Sequence, residues 1–195
     1  MMSTLKYALS KNPIIAAVTS DKAVQTAIDS ESNIIILIQS DICTLKDVVL
    51  TLQDAGKLVF VHMDLINGLK RDAAGIKFLA DFIQIDGIVT TQANLIRIAK
   101  DNDLLAIQRV FILDSASIEQ GIRLINTAKP DAVEILPGIA VPHIYKYVKD
   151  KIKQTIIAGG LIDTREEIEK ILSNGAQGIS SSSVELWKSS EFNQS

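Results

Sequence analysis

Eight short apolar runs, rich in isoleucine and valine, recur along the chain at near-even spacing. They are residues 13–18 (PIIAAV), 33–39 (NIIILIQ), 58–65 (LVFVHMDL), 87–91 (GIVTT), 105–113 (LAIQRVFIL), 132–136 (AVEIL), 155–159 (TIIAG) and 178–182 (GISSS). Uninterrupted β-branched runs of this length suit parallel strands covered on both faces. Between them the apolar spacing is helical. In 44–55, Leu45, Val48, Val49 and Leu52 share one side; in 164–174, Ile168, Ile171 and Leu172 do. Thr164 ahead of Glu166 and Glu167 suits a helix start, and Gly56 and Gly175 stand where a helix end wants a left-handed residue. Strict strand–helix alternation closes into a (β/α)8 barrel or winds into an open sheet. Eight units, and the lack of an early G-x-G-x-x-G motif, favour a compact (β/α)8 TIM-type barrel. Its 195 residues allow about 24 per unit, so one helix is expected to be short or missing. No linker or charge block interrupts the pattern, which predicts one domain over 1–195.

Composition narrows the function. A hydrophobic content of 47% supports a real core, and a net charge of −3 argues against a generally cationic nucleic-acid binder while leaving room for a local basic patch. The single cysteine, Cys43, excludes an internal disulfide framework and multi-cysteine metal sites. The first 13 residues lack a signal-peptide core, and no apolar run reaches 18 residues, which predicts a soluble, cytoplasmic protein without membrane contact.

Functional groups of such barrels collect at the C-terminal ends of the strands. The last two runs end in Gly159-Gly160 and in Ser180 to Ser183. Loops at these places form the recurrent phosphate site of the fold, where glycines admit close backbone N–H groups and hydroxyls add donors. The plainer alternative is two ordinary turns, with serines capping a terminal helix. His62 and Asp64, two residues apart, are expected on one face of a buried strand, as an acid–base dyad, a ligand clamp or a hydrogen-bonded rim pair. Metal binding is disfavoured because no second histidine lies nearby; His143 follows Pro142 at a helix start and reads as a surface residue. Arg109 and Glu134 sit inside apolar runs and need partners, either each other or a bound phosphate. Asp41 or Asp64 with Glu134 could form a two-carboxylate acid–base pair. No lysine stands at a strand end, which disfavours Schiff-base chemistry.

One stretch, 142–153, carries four lysines against one aspartate. Lys146, Lys149 and Lys153 are spaced to share one helical face, interleaved with tyrosines, a pattern that can meet RNA but is more often a solvated surface.

The strings 58–65 (LVFVHMDL), 108–115 (QRVFILDS), 130–138 (PDAVEILPG) and 157–162 (IAGGLI), in this order and spacing, resemble the glycerol uptake operon antiterminator regulatory family. The resemblance runs from Asn12 to the serine run. It implies a barrel-shaped, non-enzymatic regulator that senses glycerol 3-phosphate and binds the leader mRNA of glycerol-utilisation genes, preventing a terminator from forming. It makes His62, Asp64, Arg109, Glu134, Gly159 and Gly160 candidate ligand residues; the strand-end reading adds Ser181, Ser182 and Ser183 at the phosphate. Lys146, Lys149 and Lys153 are candidates for RNA. No cofactor or metal is implied beyond the effector. The acidic balance means RNA would need a local patch or a homodimer pooling patches. The rival reading is a small sugar-phosphate isomerase or epimerase on the same barrel.

Overall fold

A computed structural model describes residues 3–188. Eight parallel strands form a closed barrel. They are β1 Ile14–Val18, β2 Ile34–Leu37, β3 Leu58–His62, β4 Gly87–Thr90, β5 Leu105–Phe111, β6 Ala132–Leu136, β7 Thr155–Gly159 and β8 Gly178–Ser181. Each lies inside one of the apolar runs. Neighbours in sequence are neighbours in the barrel, and β8 closes onto β1 with Ile14 opposite Ile179 and Ala16 opposite Ser181.

Alternation along each strand divides the apolar residues into two layers. Ile15, Ile34, Ile36, Phe60, Val89, Ile107, Ala132 and Ile157 fill the barrel. Ala16, Val59, Val61, Ile88, Ala106, Val133 and Ile156 belong to the larger core between sheet and helices. Both faces are buried, which is why the strands read as continuous apolar runs.

The helices are α1 Thr4–Lys11, α2 Lys22–Ile28, α3 Leu45–Asp54, α4 Ala73–Phe78 (prolonged by a wider turn to Ile83), α5 Ala93–Asp101, α6 Ser115–Ala128, α7 Val141–Val148, α8 Arg165–Ser173 and α9 Val184–Trp187. The last spans only four residues, the short helix that chain length required. The Thr164 hydroxyl accepts from the Glu167 amide, and Glu167 reaches back to the Thr164 amide, completing a capping box. Gly56 and Gly175 adopt φ of 76° and 101° just past their helices.

Two features were not read from the sequence. A short two-stranded parallel sheet pairs Ser40–Asp41 with Ile66–Asn67 outside the barrel. Helix α1 precedes the first strand, and its Leu5 and Leu9 are buried with the interior residues, closing the N-terminal mouth. A further difference concerns the lysine stretch. Helix α7 ends at Val148, with Lys149 as its C-cap, because the chain must turn to re-enter the sheet at Thr155. Lys153 therefore lies outside the helix, and Lys146, Lys149 and Lys153 do not share one helical face. His143 is exposed on α7, as its sequence context suggested.

Candidate functional site

The C-terminal mouth of the barrel contains a cavity of about 330 Å³. Around it stand Arg109 from β5, Glu134 and Leu136 from β6, Gly160 to Asp163 after β7, Ser180 to Ser183 from β8 and the loop beyond it, and Thr19 after β1. Most of the predicted residues thus converge: Arg109, Glu134, Gly160, Ser181, Ser182 and Ser183 line one space.

Arg109 and Glu134 are register partners on adjacent strands. The Arg109 Nε–H donates to Glu134 Oε2 at 2.7 Å, with the two side chains 11% and 1% exposed. A charge pair this far from water holds only when each partner satisfies the other. One N–H of the guanidinium is used in this bond, and its remaining donors are on a residue that borders the cavity. Gly159 lies directly beside Glu134: a Cβ on Gly159 would come within 2.7 Å of Glu134 Oε1. The glycine is what allows the carboxylate to lie flat across β7.

After Gly159 the backbone takes two consecutive left-handed residues, Gly160 at φ 75° and Leu161 at φ 55°. Leucine is costly in that region, and such strain gathers at binding sites. The Gly160 carbonyl is tied down by the Gly138 amide at 2.9 Å. On the other side the Ser181 Oγ accepts from the Ser183 amide at 3.1 Å, and the Trp187 indole donates to the Ser181 carbonyl at 2.7 Å. Buried Trp187 therefore anchors the serine loop. The Ser181 hydroxyl proton stays available, and Ser182 is exposed at the cavity rim.

His62 ends β3 and points into the barrel, in the alternation set by Phe60. It is 3% exposed and neither ring nitrogen has a partner among the described residues. Burial and the Arg109 charge push its pKa down to about 4, against the opposing pull of Asp64 and Glu134. The ring is neutral at ordinary pH and offers one donor and one acceptor to the barrel interior.

Asp64 does not share that face, which corrects the expectation of a His62–Asp64 strand pair. The strand stops at His62, and Met63–Leu65 form a 3-10 turn, so period-2 alternation no longer applies. The carboxylate instead accepts from Thr90 Oγ1 (2.9 Å), the Thr91 amide (2.8 Å), Thr91 Oγ1 (3.0 Å) and Gln92 Nε2 (3.1 Å). Burial pushes its pKa up, but these hydrogen bonds outweigh burial and hold it below the usual carboxylate value. Asp64 ties the end of β3 to the start of α5 and is not a wall of the cavity.

Sequence reasoning missed Thr19 and Asp163 as cavity residues, while Ser180, read with the serine run at the end of the eighth strand, does line the cavity. Thr19 follows the first run directly, at a strand end from which no candidate was taken. Among the described residues no cluster of three metal-ligating side chains exists. No described helix is long and apolar enough to cross a membrane.

The chain also matches known proteins over this same span. A family model described as glycerol-3-phosphate responsive antiterminator matches residues 14–187. A crystal structure of the glycerol uptake operon antiterminator regulatory protein from Listeria monocytogenes is 36% identical, with TM-score 0.85, covering 90% of this chain and 95% of that one. A crystal structure of a glycerol uptake operon antiterminator-related protein from Thermotoga maritima is 37% identical, with TM-score 0.80, covering 89% of this chain and 96% of that one. YgcP of Escherichia coli K12, itself uncharacterized, is 35% identical over 183 residues, 94% of this chain and 95% of that protein. A family match over nearly all of the barrel, together with these relatives, places the chain in a family: it belongs to the glycerol-3-phosphate responsive antiterminators.

Proposed function

We propose that this protein is a non-enzymatic sensor of glycerol 3-phosphate that binds the leader mRNA of glycerol-utilisation genes and allows transcription past a terminator. The observation that carries the reading is the composition of the mouth cavity: glycine and serine donors at one side, the Arg109–Glu134 pair at the other. The phosphate of the ligand would sit against Gly160 and Ser181–Ser183, where the glycine amide and the serine hydroxyls would donate. The glycerol hydroxyls would meet Glu134, the free donors of Arg109 and, deeper, the unpaired ring of His62. Ligand binding would bias the protein toward an RNA-competent state through its higher affinity for that state.

An isomerase would need an acid and a base facing one carbon. Asp64 is engaged at α5 and Glu134 is held by Arg109, which weighs against that reading. Titration calorimetry with glycerol 3-phosphate, against glycerol and inorganic phosphate, tests the proposal. Saturable heat for the ester, lost in Arg109→Ala and Gly160→Asp, is expected. Absence of heat and of thermal stabilisation at millimolar ester would overturn the sensor.

A further inference from the structure

Charge is distributed unevenly over the N-terminal end of the barrel, opposite the mouth cavity. Strands β7, β8 and β1 are consecutive in the barrel. The segments that lead into them are residues 149–154, 173–177 and 3–13. These segments hold five lysines (Lys6, Lys11, Lys149, Lys151 and Lys153) and one acid, Asp150. The local balance is strongly positive in a chain whose net charge is −3. All five lysines are exposed, and none has an ion-pair partner among the described residues.

The barrel joins pieces that lie far apart in sequence. A cavity of about 230 Å³ opens between α1 and the entry to β7, bordered by Lys6, Ser10, Lys153, Gln154 and Gln177. No carboxylate borders it. Next to it on α1, Tyr7 is 54% exposed, with Lys11 Nζ 5.4 Å from its ring centre. Other carboxylates at this end belong to other sectors. Asp86 accepts from the Val59 amide, and Asp131 from the Ala106 amide and Lys100. Exposed Glu31 borders this sector beside Asn12, from which its carbonyl accepts at 3.1 Å.

Unpaired lysines, neutral donors and an exposed aromatic ring together match a single-stranded nucleic-acid backbone with bases free to stack. Resting on the RNA-binding reading above, we propose that this end of the barrel is the RNA face, with the backbone running along Lys6, Lys11, Lys149, Lys151 and Lys153. RNA and effector then occupy opposite ends of the barrel. Lys146, on the helix proper, has no part in it.

The test uses the full chain and a fluorescein-labelled single-stranded RNA of mixed sequence, read by anisotropy over a salt series. Lys6→Glu/Lys153→Glu is compared with Lys22→Glu/Lys46→Glu, an equal charge change at helix starts on the other end. The first variant should bind at least about tenfold more weakly and lose about 0.7 of salt slope per phosphate contact removed. The second should stay close to wild type. Lys6→Gln/Lys153→Gln gives the same comparison if charge reversal impairs folding, and the glycerol 3-phosphate thermal shift monitors the mouth independently. Equal weakening in both variants, or in neither, overturns the face and leaves RNA binding standing. No binding by the wild type at low salt overturns RNA binding and the face together.

Discussion

The carboxylate of Glu134 lies across the α-carbon of Gly159, so close that a methyl group there would fall 2.7 Å from Glu134 Oε1. The arginine that Glu134 holds is therefore positioned by a residue with no side chain of its own.

Gly159→Ala should push Glu134 off its place and break the 2.7 Å bond to Arg109. Overpacking of this kind costs about 1–3 kcal/mol. Thermal unfolding should show the loss of stability, and calorimetry a weakened response to glycerol 3-phosphate. An alanine variant with unchanged melting temperature and affinity would show that the carboxylate has room to move.

Glu134→Ala leaves Arg109 buried and unpaired, and breaking one side of such a pair costs about 3–5 kcal/mol. Arg109→Ala should cost a similar amount. The double variant should be less destabilised than the sum of the two, because the orphan charge is gone. Additive losses in denaturant melts would mean the pair is not coupled.

His62 gives the stability a pH dependence of known sign. Its folded pKa, about 4, lies below the ordinary histidine value of 6.5, so between these values the unfolded chain binds a proton that the folded chain does not. Stability should fall as pH drops from 6.5 toward 4, by up to about 1.4 kcal/mol per unit for one proton. Acid melts of His62→Gln should lose this component. In the folded protein the ring is already neutral near pH 7, so changes in ligand affinity near neutrality should follow the phosphate, whose second pKa is about 6.

Asp64→Ala removes four acceptor bonds from Thr90, Thr91 and Gln92. The stranded donors should lower stability by about 1–3 kcal/mol. Affinity for glycerol 3-phosphate should change less than twofold by calorimetry. A large loss of affinity with normal stability would return Asp64 to the site.

Strand order and barrel closure were legible because strands buried on both faces leave long apolar runs, and eight such runs were countable. Gly160 and the serines were legible because the fold collects function at the ends of its last strands. The His62–Asp64 pairing was misread because local alternation cannot report where a strand ends, and β3 stops at His62. Lys149 and Lys153 were misplaced for a similar reason: helical spacing continues on paper past Val148, where the chain turns back to the sheet.

By itself, the sequence determined which residues must be buried and that eight strands alternate with helices, a count that favoured the closed barrel over an open sheet. Local periodicity is written in neighbouring residues and needs no distant partner. Tertiary structure alone decided that Arg109 bonds Glu134, that Gly159 makes space for it, that Asp64 leaves the site, and that Lys6 and Lys153 border one cavity. Each of these depends on strand register and loop path, and those are set by packing of the whole barrel rather than by any segment of it.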